Sequence, residues 1–568
     1  MNGWMVPWLL AAVTVITASG RAAGDSTGST RSAPIRDPFT FHRPTDTRSA
    51  ASFQKAPGPP AGVPELPRVF IDTTYARPSG RTIPVNAGGN FQAALSSAQP
   101  GDTIVLQAGA TFTGPFNLPR KGEGGWIYIQ SSAYQLLPPP GARVAPSDAT
   151  NMAKLVTPSG PYLISLAQGA HHYRFVGIEM TPSPNVFLGA ILNLGLGGER
   201  SVGDLAHHFV IDRCYIHGDP TVGSNKGVAM NAASVAIVDS HISDLKSTGN
   251  PDTNAVWVYN SPGPIKLLNT YLEGAGENVM IGGAVPTIAD LIPSDIEIRR
   301  NHIAKSPRWR GSGWKVKNLL EMKSGNRVLI EGNVLEYSWA DAQAGYAFML
   351  TPRVDTGNWT TVSDITIRNN VIRHVGSALG ASGFEGPPML HHSKNVLIQN
   401  NVWSDVGTPG WGDGILFMIS NGIANVTIEN NTAVHTGHII LVDSGSEIMP
   451  GFAYRNNIQP HNAYGVYGGG VGSSALKRFF PAAVFEKNVI AGPWPTPGGA
   501  TPSNYSGHPS NFFPNGLDTV KFVDRPRGNY RLASSSPYRR AGTDGKDIGA
   551  NIDAIEAATA GVAMSPPR

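Results

Sequence analysis

The chain has 568 residues, more than one ordinary hydrophobic core organises unless it is built from repeats that each pack only on their neighbours. It contains 66 glycines, 46 prolines and only 15% charged residues, a composition that favours turns and β-strands over long helices. The net charge of +4 is too small to indicate a nucleic-acid-binding protein, and a single cysteine, Cys214, excludes an internal disulfide.

The N-terminal region has the pattern of an export signal. An apolar stretch from Val6 to Ala18 leads into small residues, as in a secretory signal peptide, and it is short for a membrane span. We assign residues 1–23 to a signal peptide and residues 24–66, rich in Ser, Thr and Pro, to a disordered leader. The sequence therefore predicts a secreted protein, extracellular or periplasmic, without a membrane span.

A short unit then recurs, in which an alternating apolar strand, a polar bend and a second short strand follow one another. Examples are "TIRNNVI", "LIQNNVW" and "TIENNTA". The aligned bend residues, 26 to 37 residues apart, are Cys214, Ser240, Thr270, Asn301, Asn333, Asn370, Asn401, Asn431, Asn457 and Asn488. Several short strands per repeat without a helical period favour a parallel β-solenoid of about ten or more coils. Asparagine tolerates a left-handed backbone, so we expect these residues to sit in the bends and to stack as a hydrogen-bonded ladder.

The two ends of the repeat region also have recognisable patterns. A short amphipathic helix from Phe91 to Ala98 precedes a turn and the first predicted strand, Thr103 to Leu106. Such a helix covers the open apolar end of a solenoid. We assign residues 67–553 to the solenoid domain and residues 554–568 to a disordered tail.

The opening "FQAAL…AQPGDTIVLQAG", the asparagine-bend coils and the ending "YRLASSSPYRRAGTDGKDIGA" resemble secreted right-handed parallel β-helix proteins of the pectate-lyase-like superfamily. The resemblance implies an all-β, right-handed parallel β-helix with a short N-terminal capping helix. It also implies that the third strand of each coil builds one sheet face, which carries a polysaccharide groove. We place these third strands at "NAVWVYN", "NVMIGG", "NLLEMKS", "YAFMLTPR", "PMLHHS", "ILFMIS" and "IILVDS".

Counting back from the bends aligns the predicted third strands. Asn260, Lys323 and His391 fall into one outward column, Glu321 lies one step before Lys323 on the same face, and Arg353 ends the strand of the intervening coil. Neighbouring coils lie about 5 Å apart, so these groups are within reach of one sugar unit. His392 is a further candidate for substrate binding, as are the tryptophans of the bordering loops, Trp339, Trp359 and Trp411.

Within the superfamily, "MKSGN" with Lys323 and "LTPR" with Arg353 resemble the chondroitinase B and alginate lyase branch. That resemblance implies a lysine base and an arginine on the next coil, with His391 as a third catalytic candidate. It also implies calcium, for which Glu321 and Glu277 are the candidate ligands. We therefore expect a lyase that cleaves an acidic polysaccharide by β-elimination, acting as a monomer.

Two other functions remain open at this point. The first is a non-catalytic carbohydrate-binding, adhesion or cell-surface protein. The second is an inverting hydrolase of polygalacturonase type, which needs two carboxyl groups flanking the bond. "PDTNAV" and "GEN" offer Asp252 and Glu277, but Asn254 and Asn278 stand where further acids are needed.

Overall fold

A computed structural model describes residues 62–563 except 354, 356, 388 and 444. The predicted signal peptide and residues 24–61 of the predicted leader lie outside the described residues. The residues described belong to one unit, 55–568.

The chain winds into a right-handed parallel β-helix with three long sheets, and each coil contributes a strand to sheets A, B and C in turn. Sheet A contains β1 (Thr82–Val85), β2 (Thr103–Leu106), β5 (Ile127–Ser131), β8 (His171–Val176), β11 (His207–Asp212), β14 (Ala233–Val238), β17 (Ile265–Leu268), β20 (Ser294–Arg299), β23 (Gly325–Glu331), β26 (Val362–Arg368), β29 (Lys394–Gln399), β32 (Ala424–Glu429), β35 (Ala453–Arg455) and β38 (Val484–Glu486). Sheet B contains β3 (Thr111–Thr113), β6 (Ala153–Thr157), β9 (Ile178–Pro182), β12 (Tyr215–His217), β15 (His241–Leu245), β18 (Tyr271–Gly274), β21 (His302–Ala304), β24 (Val334–Ser338), β27 (Val371–Val375), β30 (Val402–Val406), β33 (Thr432–His435), β36 (Ile458–Pro460) and β39 (Val489–Ala491). Sheet C contains β4 (Phe116–Leu118), β7 (Tyr162–Leu166), β10 (Ala190–Asn193), β13 (Lys226–Ala229), β16 (Asn254–Val258), β19 (Val279–Ile281), β22 (Leu320–Met322), β25 (Tyr346–Leu350), β28 (Ser377–Ser382), β31 (Phe417–Ser420), β34 (Ile440–Leu441) and β37 (Val466–Tyr467).

Few helices accompany the sheets within residues 62–563. The α-helices are α1 (Phe91–Ser97), α2 (Ser473–Phe479) and α3 (Ile552–Thr559), and β40 (Phe522–Asp524) pairs with β41 (Asn529–Leu532) in an antiparallel ribbon. Short 3₁₀ helices in the connections span Tyr134–Leu136, Pro146–Asn151, Val202–Asp204, Pro307–Trp309, Pro502–Tyr505, Leu517–Val520 and Arg525–Arg527. None of the helices in the described residues is long and apolar enough to cross a membrane.

The alternating pattern of the repeated unit produces the core. In sheet A, Ile330, Ile367, Ile398 and Ile428 pair in register from coil to coil and are fully buried. Cys214 is a free, buried cysteine inside this core. Each coil therefore buries its apolar side chains against identical positions of its neighbours, as expected for a solenoid.

The predicted asparagine ladder is confirmed from Asn301 to Asn488, and it continues one step further to Asn511. The backbone N–H and the side-chain Nδ2 of Asn370 both donate to Asn401 Oδ1, each at 3.0 Å. The Nδ2 group of Asn370 also donates to the carbonyl of Ile330 at 3.0 Å. Each buried amide is thereby satisfied by the coils on both sides.

The backbone of the ladder differs from the expectation in one respect. The left-handed residue is the one before the stacked asparagine, for example Asn369 with φ 56° and Asn400 with φ 53°. The stacked residue starts the next short stretch with its side chain turned into the core. The bend therefore needs two residues, one that tolerates positive φ and one whose amide fills the ladder.

Replacing Asn370 or Asn401 by alanine is expected to lower the free energy of unfolding by about 1–3 kcal/mol, because each change removes an amide from a buried hydrogen-bonded stack. Urea unfolding followed by circular dichroism measures the loss. Asn358→Ala is the matched control, since Asn358 lies exposed in a loop. Equal midpoints for all three variants and the wild type would contradict a stabilising role for the ladder.

The N-terminal end is capped as predicted. Helix α1 begins after Asn90, whose side chain accepts from the N–H of Ala93 at 2.9 Å. Phe91 and Leu95 are buried, and the ring of Phe91 contacts that of Phe116 at 4.8 Å. The helix thus covers the apolar opening of the first coil.

Segments at both ends of the described residues run along the outside of the coils. We call residues 62–80 the N-terminal strap and residues 549–563 the C-terminal strap. In the N-terminal strap, the N–H groups of Glu65 and Arg68 donate to Asp364 and Asp295 at 3.1 and 2.8 Å. Thr73 accepts from Arg174 at 2.9 Å, near the other end of the strap. Residues 62–66, which the sequence assigns to the leader, thus already contact the solenoid.

The C-terminal strap corrects the prediction of a disordered tail from residue 554, because α3 extends to Thr559. Ile552 and Ile555 are buried in a cluster with Val402 and Tyr530. Arg300 and Arg143 then donate to carbonyl oxygens of Ala558 and Val562, each at 2.9 Å. The alternation of charged and apolar residues in this segment matches a helix that packs on one side only.

Candidate functional site

An open groove with a cavity volume of about 650 Å³ lies over sheet C, from β7 to the end of β25. Its charged lining consists mainly of Lys226, Asp252, Glu277, Lys317, Lys323 and Arg353. The groove crosses seven neighbouring strands, so it is about 29 Å long at the usual spacing between strands. This length accommodates several consecutive sugar residues.

Lys323, which lines the groove, forms an ion pair with the buried Glu321. Register places Glu321 between Met280 and Met349, and the N–H of Lys323 donates to the carbonyl of Ile281 at 2.7 Å. The side chains lie on one face, with Lys323 Nζ 2.9 Å from Glu321 Oε1. Only 3% of Glu321 and 9% of Lys323 is exposed, so the pair is part of the sheet rather than a solvated surface bridge.

A second ionic network adjoins this pair. Lys317 Nζ lies 2.7 Å from Asp252 Oδ1 and also contacts Glu277 Oε1, while Asn254 Nδ2 donates to Glu277 Oε2 at 3.0 Å. Burial on its own would lower the pKa of Lys317, but the two carboxylates prevail and raise it. Lys317 therefore remains an ammonium ion that holds two acidic residues from neighbouring coils.

Lys305 supports the network from below and has no counterpart in the sequence-based prediction. It is 1% exposed, and its Nζ donates to Asn278 Oδ1 and to the carbonyls of Gly274, Gly276 and Asn318 at 2.7–3.0 Å. Burial lowers its pKa to about 7. The lysine thus ties together the loop backbone that presents Glu277.

Glu273 lies on β18 beside Asp244, and its burial makes the stability of the fold depend on pH. Burial and then the Asp244 carboxylate raise its pKa from 4.5 to about 7, and Tyr271 Oη donates to it at 2.8 Å. Between these pH values the folded chain keeps a proton that the unfolded chain releases, so this residue contributes stability at low pH that is lost as pH rises to about 7.

Glu273→Gln cannot titrate and does not lose this stability. The free energy of unfolding of the variant, relative to the wild type, should therefore increase from about pH 5 to about pH 8. Urea unfolding at both pH values measures the difference. Glu447→Gln serves as the control, because that side chain is 57% exposed. A Glu273→Gln difference that is the same at both pH values would contradict the prediction.

The predicted calcium ligands, Glu277 and Glu321, do not fit a calcium ion in this arrangement. Glu277 contacts Lys317 and Asn254, and Glu321 contacts Lys323 at 2.9 Å and Asn318 Nδ2 at 2.9 Å. All four carboxylate oxygens thus have internal partners, two of them cationic.

Three predicted site residues lie elsewhere. Residues 389–393 of the predicted strand "PMLHHS" lie in a loop, because the strand of that coil is β28. His391 and His392 are therefore exposed residues beyond the sheet rather than neighbours of Lys323. His392 stacks near Phe384 at 4.8 Å. Asn260 is one residue out of register with Lys323 and buried, with its Nδ2 donating to Thr287 Oγ1 at 3.0 Å.

The predicted tryptophans are also absent from the described lining of the groove. Trp339 is buried in a small cluster, Trp411 donates its indole N–H to Asp405 at 3.1 Å, and Trp359 donates to the carbonyl of Leu291 at 3.5 Å. The aromatic rings that do line the groove are Tyr162 and Trp257. Trp257 lies on the predicted strand "NAVWVYN", where its alternation with buried residues marks it as facing outward.

Lys226 is the most informative residue that the sequence-based prediction missed. It is three strands from Lys323 along sheet C, and its Nζ donates to Asn254 Oδ1 and to the carbonyl of Asp252. Burial lowers its pKa to about 8. Its ammonium group also lies 4.9 Å from the ring centre of Trp257.

Comparison with known proteins agrees with this architecture. Residues 226–480 match the family described as "Right handed beta helix region". The fold and this match make the chain a right-handed parallel β-helix protein. Both are consistent with the pectate-lyase-like superfamily that the sequence resembles.

Solved structures with a similar fold come from proteins of different activities. An alginate lyase from Paenibacillus sp. str. FPU-7 is 15% identical, with 69% of this chain and 97% of that chain covered and a TM-score of 0.24. A GH87 α-1,3-glucanase from Streptomyces thermodiastaticus strain HF3-3 is 12% identical, with 74% and 70% covered and a TM-score of 0.47. PfbA, a surface adhesin of Streptococcus pneumoniae, is 10% identical, with 65% and 84% covered and a TM-score of 0.42. No curated protein matches the sequence.

Proposed function

We propose that the chain is an extracellular protein whose groove binds an acidic polysaccharide and cleaves it by β-elimination. The observation that carries this proposal is that Lys323 and Arg353, from neighbouring coils, line the same open groove. Neighbouring coils are about 4.8 Å apart, so both side chains can reach one uronic acid residue. Tyr162 and Trp257 offer aromatic faces for sugar rings further along the groove.

Arg353 is suited to neutralise a substrate carboxylate. Its guanidinium lies 3.4 Å from Asp355 and 3.8 Å from Glu385, distances longer than those of tight bidentate pairs, and the partner side chains are 60% and 49% exposed. Arginine binds planar carboxylates through paired hydrogen bonds, so a uronate can replace these loose contacts. Neutralising the carboxylate allows negative charge to develop next to it when the neighbouring C5 proton is removed.

The reaction needs one base at that carbon. In the proposed step, the ammonium group of Lys323 first releases one proton to water, and the neutral amine is the form that acts as the base. The amine takes the C5 proton, the C4–C5 double bond forms, and the C4–O bond breaks with protonation of the departing oxygen by water. Glu321 holds the lysine side chain in place through its 2.9 Å contact. Base catalysis of this kind contributes about a hundredfold or more to the rate.

Lys226 is a second candidate base at another position of the same groove. Its pKa of about 8 suits proton abstraction near neutral pH, and its contacts to Asn254 and the Asp252 carbonyl are uncharged. Its backbone is three strands from that of Lys323, about 14 Å along the groove, so each lysine lies nearest a different sugar. The position of cleavage along the groove therefore depends on which lysine acts.

The proposal is tested by incubating the purified full chain with alginate, pectate and glycosaminoglycans and recording ultraviolet absorbance of the unsaturated uronic product. Product from at least one polymer, lost in Arg353→Ala, supports the proposal. Absence of product from every polymer, together with unchanged binding in Arg353→Ala, contradicts it. Reducing-end formation without the absorbance would instead indicate hydrolysis.

Binding without catalysis is the second candidate function, and one observation favours it. The carboxylates and lysines in the groove floor already pair with one another, as in a rigid recognition surface. Retardation of the chain in gels containing each polymer, without product, would identify this function. The inverting hydrolase is less compatible with the geometry, since Asp252 and Glu277 contact one Nζ and so lie within about 5 Å, closer than an inverting pair.

A further inference from the structure

Four histidines form a compact cluster on sheet A, away from the groove. The pairs His171–His172 and His207–His208 begin β8 and β11, and register places His207 beside His171. The rings of His171 and His207 are parallel with centres 4.7 Å apart, and those of His172 and His208 are parallel with centres 4.5 Å apart. The two coils thus present a two-by-two arrangement of imidazoles.

The ring nitrogens converge. Nδ1 of His171 lies 2.8 Å from Nδ1 of His172, and Nδ1 of His207 lies 2.7 Å from Nδ1 of His208. One ring nitrogen from each of His171, His172 and His207 lies within 4.8 Å of the other two. Nitrogen ligands of one zinc ion, at 2.0–2.1 Å from the metal, are about 3–4 Å apart, so small ring tilts bring these three into coordination distance.

The backbone explains why consecutive histidines point the same way. His172 and His208 have positive φ values of 58° and 60°, which turn each side chain next to its predecessor instead of onto the opposite face. In later coils the equivalent position mostly holds short polar or acidic residues, with Pro264 and Arg327 as exceptions; the short ones are Ser234, Asp295, Asp364, Asn395 and Asn425. Histidine therefore occupies this positive-φ position in two consecutive coils, whereas the later coils named above have other residues there.

A carboxylate and an aromatic wall complete the surroundings. Glu123, with an 85% exposed side chain, has Oε1 3.8 Å from His171 Nε2. It lies between Gly122 and Gly124 in a loop that can adjust. Trp126 contacts the rings of His172 and His208 at 5.3 and 6.4 Å and shields one side of the cluster.

We propose that His171, His172 and His207 bind one divalent late transition-metal ion such as Zn²⁺. The exposed Glu123 side chain, now beside Nε2 of His171, becomes a fourth ligand only if it moves toward the ion. Neutral imidazoles with a carboxylate are ligands that such ions favour, whereas calcium prefers oxygen ligands throughout. His208 positions His207 through the 2.7 Å contact between their rings. The ion would join two coils and the loop before Trp126, independently of the groove.

The test uses the full chain without a histidine tag, treated with EDTA and dialysed, and titrated with Zn²⁺ by calorimetry. We expect one saturable equivalent and a higher thermal midpoint with Zn²⁺ but not with Ca²⁺. Co²⁺ should give the visible absorption of a nitrogen-ligated ion. Absence of a saturable equivalent in the wild type would overturn the proposal and leave the cluster as a packing stack.

His172→Asn is the decisive variant, because asparagine occupies the equivalent turn position at Asn395 and Asn425 and should fold. It should weaken Zn²⁺ binding by at least about tenfold, as loss of a ligand does, with unchanged circular dichroism. The matched control is His438→Gln, because His438 stacks on Tyr464 far from the cluster along the chain. This variant should bind Zn²⁺ with the affinity of the wild type. Equal Zn²⁺ affinity in His172→Asn and the wild type would overturn the assignment.

Discussion

Lys323→Ala is expected to reduce turnover of the polysaccharide substrate by about a hundredfold or more, because it removes the proposed base. The ultraviolet absorbance assay for the unsaturated product should show a loss of the same order for Arg353→Ala, because no guanidinium then neutralises the substrate carboxylate. Lys323→Arg should recover little activity, since a guanidinium does not release its proton at usable pH. A rate above half that of the wild type in Lys323→Ala would exclude Lys323 as the base.

Stability must be separated from activity in this experiment. Lys323 is largely buried and paired with Glu321, so its removal leaves a carboxylate without its cation and costs more than a surface substitution. The double variant Glu321→Gln with Lys323→Met keeps the packing and removes both charges. It should recover much of the stability but none of the turnover.

Lys226→Met distinguishes the two candidate bases. If cleavage occurs at the Lys226 end of the groove, this variant loses turnover while Lys323→Ala keeps it. If the Lys323 and Arg353 end is correct, Lys226→Met retains substantial turnover and mainly changes substrate binding beside Trp257. Measuring all three variants on one polymer locates the reacting sugar along the groove.

Lys317→Met is expected to have the largest effect on stability, about 3–5 kcal/mol, because it leaves the fully buried Glu277 without its ammonium partner. Burial and the nearby Glu321 already raise the pKa of Glu277, and loss of Lys317 raises it further. The folded variant then keeps a proton on Glu277 that the unfolded chain has released, so its stability falls as pH rises. The loss measured by urea unfolding should thus be larger at about pH 8 than at pH 5.

Two further variants complete this experiment. Lys315→Met changes an exposed lysine two residues away and should stay within about 0.5 kcal/mol of the wild type. Lys317→Met combined with Glu277→Gln should be more stable than Lys317→Met alone, which a double-mutant cycle quantifies. Additive losses would show that Lys317 and Glu277 do not stabilise one another.

The coil architecture could be predicted because its signals are local and repeated. The bend of each coil contains an asparagine or its substitute, and the short apolar strands around it alternate, so Asn301 to Asn488 could be aligned without the structure. Strand β28 could not be found in this way, because "SALGAS" has one leucine among small residues and lacks an alternating apolar pattern. The histidine pair of the following loop then took its place in the predicted column.

The groove could be predicted only in part for a related reason. Lys323 and Arg353 lie just beyond the ends of β22 and β25, two strands with clear apolar patterns, so sequence reasoning brought them to the same face. Lys226 and Lys317 reach the groove from strand starts and loops, whose positions depend on connections that vary in length from coil to coil. The destinations of Trp339, Trp359 and Trp411 likewise depend on how long loops pack, which no short-range pattern specifies.

The two straps change how a stack of coils responds to stress. In a simple solenoid each coil contacts only its neighbours, so the ends can fray while the middle persists. Here the N-terminal strap joins coils from Asp364 back to Arg174, and the C-terminal strap joins coils from Asn400 back to Arg143. Because the straps span several coils, opening one coil beneath a strap also breaks hydrogen bonds to distant coils. Partial unfolding therefore costs more free energy, and the chain unfolds more cooperatively. A protease would accordingly meet few partly opened chains.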